Sequence, residues 1–166
     1  MASDAMSLAQ LTAPAALARS LALGVPVALL GGALLSQYVG GLYPCEMCIW
    51  QRYPHGAAIL LALAALASPI EAVRTRPLLL LAALAIAVSG AIGVYHAGVE
   101  YGWWEGITTC TTNGATSLND IMSVPLVRCD QVQWSLAGIS LAGFNAIFSL
   151  GGAALVAWLA FRKTAR

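Results

Sequence analysis

The chain has 166 residues, 60% of them hydrophobic and only 9% charged, against roughly 25% charged in a typical soluble domain. Seven acids and eight bases cannot cover the surface of a soluble fold of this size, and a net charge of +1 argues against nucleic-acid binding, which needs a concentrated basic patch. With a mean hydropathy of +0.79, an integral membrane protein is left.

Charge-free stretches mark the expected spans in chain order. They run from Ser20 to Cys45 (26 residues), Tyr53 to Ile70 (18), Pro77 to Val99 (23) and Gln131 to Phe161 (31). A helix needs about 20 apolar residues to cross a hydrocarbon core of roughly 30 Å. Expected helices therefore cover 17–38, 49–68, 77–99 and 134–161, the second gaining length from Ile49 and Trp50. Loops 39–48 and 100–133 join them on one side. The first span is expected to be retained: its apolar region is too long for a signal peptide, Arg19 is the only base ahead of it, and no A-x-A site follows Leu35. None of the stretches alternates as a barrel strand does. The expected fold class is all-α, a single integral membrane four-helix bundle with two outward loops.

Smaller signals fit this outline. Rows of small residues at helical spacing (Gly24, Ala28, Gly32; Ala85, Ser89, Gly93, Ala97) let helix backbones approach closely in lipid, although an Ala/Gly-rich chain also produces such rows by chance. Pro26 is placed to kink the first span, which membrane helices tolerate. Asp120–Leu126 reads as a short amphipathic turn along the membrane surface.

Orientation follows from the bases. Arg19, Arg74, Arg76, Arg162, Lys163 and Arg166 fall on one side, six of the eight. Arg52 and Arg128 fall on the other, beside Glu46, Glu100, Glu105, Asp120 and Asp130. The positive-inside rule then makes both termini cytoplasmic and turns both loops outward.

All four cysteines lie in those outward loops. Cys45 and Cys48 form a C-x-x-C just before the second span, and Cys110 and Cys129 stand 19 residues apart in the long loop. Two structural disulfides are one reading, since an oxidising face preserves them. Against it, a C-x-x-C bridge closes a very short loop and stabilises a fold weakly. The same spacing keeps two thiols in reach, so that one attacks a partner's disulfide and the other resolves it. Arg52, one turn after Cys48, favours a thiolate and suits an anionic electron acceptor, though a snorkelling interfacial arginine reads equally well. Glu46, between the two thiols, raises their pKa by like charge. Zinc is disfavoured because the second pair begins 62 residues after Cys48 with wide spacing, and covalent haem because Ile49 stands where C-x-x-C-H needs histidine. Four cysteines allow three disulfide pairings, which spacing alone leaves open.

The run Pro44-Cys45-Glu46-Met47-Cys48-Ile49-Trp50-Gln51-Arg52-Tyr53-Pro54 resembles the signature of the DsbB family of inner-membrane thiol–quinone oxidoreductases. Tyr95-His96, the acidic-aromatic run Glu100 to Glu105, Cys129-Asp130, Ser140 and Asn145 are also similar to bacterial members, so the resemblance covers nearly the whole chain. It implies a bacterial inner-membrane location and a periplasmic thioredoxin-fold oxidase (DsbA-like) as thiol partner, the system that keeps the periplasm oxidising. Cys110 would form the mixed disulfide with that partner and Cys129 would be its pair. Electrons would then reach Cys45 and Cys48 through a transient Cys45–Cys129 bond, and pass to a quinone, ubiquinone or menaquinone. Arg52 matches the family's quinone-side arginine. Gln51 stands where some members carry glutamate. His96 is either an interfacial histidine bound to a loop carbonyl or a second quinone contact. No resident metal is implied.

Cysteine order and span polarity disfavour two rival functions. A vitamin K epoxide reductase-like enzyme would carry its loop pair ahead of the C-x-x-C, the reverse of this chain. A transporter would need charge near mid-membrane, and the four charge-free stretches hold none there. A small membrane scaffold with two structural disulfides remains the non-enzymatic alternative.

Overall fold

The computed structural model describes residues 2–70, 73–108 and 127–162, with side chains from Pro14 onward. Cys110 and the Asp120–Leu126 segment lie outside the described residues. Four helices occur among those described: α1 (Ala2–Tyr38), α2 (Glu46–Leu66), α3 (Thr75–Glu100) and α4 (Leu141–Phe161). Three stretches, Pro14–Tyr38, Thr75–Glu100 and Leu141–Phe161, are long and apolar enough to cross a membrane, with mean hydropathies of 1.7, 2.4 and 1.8. Helix α2 is of similar length but less apolar, because its first half carries Glu46, Gln51, Arg52 and His55. The protein is an all-α membrane bundle.

The helices form a ring in which each packs on its neighbours in the chain and α4 closes onto α1, while α1 and α3 face each other across a diagonal. The core away from the cysteines is built on alanine: Ala18, Ala22, Ala62, Ala65 and Ala82 pack with Leu79, Val156 and Leu159. In lipid, small side chains earn contact through backbone approach rather than by leaving water. The α3 row does this, since a Cβ at Gly93 would sit 3.0 Å from the Ala142 carbonyl oxygen of α4. The α1 row does not. Gly24 and Gly32 have open space where a side chain would stand, and Ala28 and Gly32 instead line a cavity. Helix α1 runs unbroken through Pro14 and Pro26.

The apolar stretch expected to be helical from 134 becomes helix only at Leu141. Ahead of it, β1 (Ser135–Leu136) and β2 (Ile139–Ser140) pair antiparallel around a two-residue turn. Ala137 (φ 51°) and Gly138 (φ 80°) both take the left-handed conformation that such tight hairpins require. Tyr101 secures the turn: its hydroxyl donates to the Gly138 carbonyl (2.9 Å) and accepts the Ser140 N–H (2.8 Å). Ser140 then caps α4, accepting the Gly143 N–H at 3.1 Å. At the end of α3, Trp103 N–H reaches the Gly98 carbonyl (2.8 Å) around left-handed Gly102, a Schellman stop. The chain folds back so that Trp104 stacks on Tyr95 with ring centroids 5.8 Å apart.

The end of the bundle away from the cysteines holds Arg19, Arg76 and Arg162. Arg19, only 8% exposed, donates to the Ser68 carbonyl and to Thr75 Oγ1, tying α1 to the connection between α2 and α3. Arg76 lies over Phe161 and Arg162 over Trp158, at 4.7 and 3.8 Å from the ring centroids.

Candidate active site

The site begins where α2 starts. Cys45 is the N-cap of α2, with extended backbone (φ −75°, ψ 175°), and its sulfur accepts the Cys48 N–H at 3.3 Å. A helix start leaves N–H groups without internal partners and carries partial positive charge, so sulfur placed there is favoured as an anion. Two sulfurs use this end. Cys45 Sγ lies 3.1 Å from Cys48 Sγ and also hydrogen-bonds Cys129, which arrives from the long loop. Cys129 further accepts from Thr108 Oγ1 (3.1 Å) and from the backbone of Met47 and Glu46 at the first turn of α2.

These bonds divide the thiols electrically. Cys129 is brought down to about 6, chiefly by the Cys45 hydrogen bond and then by the α2 backbone and Thr108, against the pull of burial. Cys45 is pushed well up, because it is the donor to Cys129 and lies buried. The pair is therefore a Cys45 thiol facing a Cys129 thiolate. Both are enclosed, with Met47, Val99 and Val127 around them.

Below the sulfurs runs a buried polar chain drawn from three helices. Gln51 Nε2 donates to the Met47 carbonyl (3.1 Å) and to His96 Nδ1 (2.9 Å). Met47 O can only accept, so the amide nitrogen is the group facing His96, and His96 Nδ1 is an acceptor. The neutral ring then carries its proton on Nε2, which faces both Cys45 Sγ (3.4 Å) and the loop carbonyl of Cys129 and lies 3.8 Å from Glu100 Oε1. Glu100 in turn accepts from Ser140 Oγ at the start of α4. On the other side, Gln51 Oε1 accepts from Asn145 Nδ2 at 2.7 Å, and Asn145 Oδ1 meets His55 Nε2 at 2.9 Å. Ser89 joins α3 to this group, donating to the Gln51 carbonyl and contacting His55 Nε2, each at 2.9 Å.

A cavity of about 520 Å³ opens beside the chain, bounded by all four helices. Its polar lining includes Cys45, Cys48, Arg52, His55, His96 and Asn145, and its apolar wall comes from α1. Arg52 is oriented across this wall by Gln37 Oε1 (2.5 Å) and the Ala33 carbonyl (3.4 Å). Two buried nitrogens there, Arg52 Nε and His55 Nδ1, have no hydrogen-bond partner among the described residues. The ligand atoms of Cys45, Cys48 and His96 lie within 4.8 Å of one another, a spacing a soft cation could also use.

Of the residues singled out from sequence, Cys45, Cys48, Gln51, Arg52 and His96 gather on one cavity, and Cys129 joins them through Cys45. Cys110 is outside the described residues. His55 and Ser89 belong to the same assembly and carried no site role from sequence, Ser89 having figured only as a small packing residue, and Glu100 and Asn145 were tied to the site only through the family resemblance. The signal for them was present: polar side chains within otherwise apolar helices face the bundle interior, and Gln51 and His55 are one turn apart.

Comparison with known proteins is consistent across the chain. The profile of the family described as Disulfide bond formation protein DsbB matches residues 15–159. A Disulfide bond formation protein B of Azoarcus sp. (strain BH72) is 32% identical over 151 residues, covering 84% of this chain and 88% of the relative. One of the same name from Verminephrobacter eiseniae is 35% identical over 147 residues, 81% and 80% of the two chains. An uncharacterized protein of Rickettsia prowazekii is 24% identical over 134 residues, 76% of each. No solved structure matches the chain significantly.

Proposed function

The chain belongs to the DsbB family and is a membrane protein of disulfide bond formation with a disulfide oxidoreductase role, and on that premise we propose that it passes electrons from a thioredoxin-fold oxidase to a quinone. The observation that carries this reading is the position of Cys45 Sγ, which touches both Cys48 Sγ and Cys129. A structural disulfide needs one partner for each cysteine. A relay needs one sulfur that can bond either of two.

In the proposed sequence a thiolate of the reduced oxidase attacks Cys110 of a Cys110–Cys129 disulfide and Cys129 leaves. A thiol of low pKa leaves faster, which the α2 start and Thr108 favour at Cys129. The Cys129 thiolate attacks Cys45 of the Cys45–Cys48 disulfide, forming Cys45–Cys129 and releasing Cys48. The second thiol of the oxidase then displaces Cys110, leaving the oxidase with its own disulfide restored. Cys110 attacks Cys129 and regenerates the loop disulfide, leaving Cys45 and Cys48 reduced. His96 Nε2–H hydrogen-bonds Cys45 and favours its anionic form whenever it becomes a leaving group.

The cavity fits a quinone ring: it has the volume of a small-molecule site, a largely apolar wall and an orphaned buried donor, Arg52 Nε, suited to a ring carbonyl. Arg52, His96 and Cys48 would hold it, and the ring would supply a two-electron, two-proton acceptor. Gln51 lines the cavity but its amide is committed to Met47, His96 and Asn145, so it acts through His96 rather than on the ring. The arginine-rich end fits a cytoplasmic face and the cysteine end a periplasmic one, in the bacterial inner membrane with both termini inside.

The test is quinone reduction by purified protein in detergent, with a reduced thioredoxin-fold oxidase as donor and Cys48→Ser as control. Turnover abolished in Cys48→Ser is expected. No turnover from folded protein holding two disulfides would favour the scaffold reading instead.

A further inference from the structure

The buried hydrogen bonds settle the tautomer of His55, and with it the chemical character of the cavity's inner end. Asn145 Nδ2 donates to the Ser89 carbonyl (3.1 Å) and to Gln51 Oε1 (2.7 Å), so its nitrogen is turned to those acceptors and Oδ1 faces His55. Ser89 spends its hydroxyl proton on the Gln51 carbonyl, so its oxygen too can only accept from the ring. Both groups beside His55 Nε2 are therefore acceptors, at 2.9 Å each, and Nε2 must carry the proton. Nδ1 of the neutral ring is then a bare lone pair. It is buried, partnerless among the described residues, and part of a side chain only 2% exposed that lines the cavity. An unmade hydrogen bond at a buried atom is costly, and the natural remedy is a ligand with the matching group.

We propose that His55 Nδ1 is a hydroxyl-accepting subsite that recognises the reduced, dihydroxy form of the ring acceptor and discriminates against its carbonyl form. The proposal rests on the thiol–quinone reading above. The Cys45–Cys48 dithiol gives up two electrons and two protons as its disulfide forms, and the ring takes up both to become a hydroquinone. A ring hydroxyl donates to Nδ1; a ring carbonyl oxygen there would set lone pair against lone pair. Arg52, a donor only, marks the complementary pole, and lies three residues earlier on the same helix, roughly 4.5 Å along the axis. The site thus pulls the equilibrium toward electron delivery, because the reduced ring is the better ligand. Ser89 and Asn145 are positioning residues that act by holding the imidazole in this tautomer.

The experiment measures binding of a decyl-tailed benzoquinone and of its hydroquinone to the full-length protein in detergent, in a Cys48→Ser background that blocks electron exchange. His55→Gln keeps a donor near the Nε2 position and removes Nδ1, whereas His55→Asn leaves an acceptor near Nδ1. Expected is about a tenfold loss of hydroquinone affinity in His55→Gln with quinone affinity unchanged, the worth of one buried hydrogen bond, and partial retention in His55→Asn. A readout free of any His55 change uses ¹⁵N-histidine labelling, which is simple because the chain has two histidines. The unprotonated Nδ1 resonance of His55 should move on adding hydroquinone and stay on adding quinone. An unmoved resonance, or equal affinities in His55→Gln, overturns the proposal while leaving the thiol–quinone reading intact. Failure of both rings to bind the protein overturns both.

Discussion

Gln51 Nε2 donates to His96 Nδ1 at 2.9 Å, and this bond decides which edge of the imidazole carries a proton toward Cys45. Amide and imidazole sit on different helices, α2 and α3, and both are buried. Because the amide offers both a donor and an acceptor, Gln51 can face His96 with one end and Asn145 with the other.

Glutamate at this position would break that polarity. An ionised carboxylate has no N–H for His96 Nδ1, so the ring would place its proton on Nδ1 and present a bare Nε2 to Cys45. We expect Gln51→Glu to slow electron delivery from the cysteines by about tenfold or more, the worth of one hydrogen bond to a developing thiolate. The ¹⁵N signature of His96 should switch tautomer in the same variant. A normal rate with a switched tautomer would remove His96 from the path.

Cys129 carries a pH dependence whose sign is fixed by its neighbours. Its folded pKa, about 6, lies below its ordinary value of 9.0. Thiolate is therefore the main form above pH 6 in the folded protein. Stability from this thiolate is complete above about pH 9 and is lost as pH falls toward 6. With the cysteines reduced, alkylation of Cys129 should show a midpoint near pH 6. Thr108→Val removes one donor, at 3.1 Å, and should move that midpoint upward.

Arg52 bridges the cavity wall and α1 through Gln37. Arg52→Ala should raise the quinone KM about tenfold, with the thermal midpoint little changed because an isolated pair between helices contributes of order 1 kcal/mol. Unchanged quinone kinetics would make it an anchor only.

Arg19 is the structural arginine at the far end. Arg19→Leu leaves the Ser68 carbonyl without its buried donor, and should cost about 1–3 kcal/mol of stability. Chemical or thermal unfolding in detergent would register this, with redox turnover at low temperature preserved because the cysteine site lies at the opposite end.

Much of the bundle was legible in the sequence. Hydropathy and the absence of charge mark α1, α3 and α4, and the C-x-x-C with its following Gln-Arg marks the start of α2, because burying charge in lipid is costly enough to leave a plain record in composition. Local turn chemistry was less visible: the Ala137-Gly138 hairpin was absorbed into an apolar run, since hydropathy does not register a backbone that turns with positive φ. Cysteine spacing left the pairing open, and the meeting of Cys129 with Cys45 across more than 80 residues of chain was implied only by the family resemblance. Tertiary structure alone decided that the open row on α1 lines a cavity while the α3 row closes on α4. It also decided that His55, Ser89 and Asn145 share hydrogen bonds. Which donor faces which acceptor depends on helices being packed side by side, and a one-dimensional pattern of polar residues carries the inventory of those groups without their pairing.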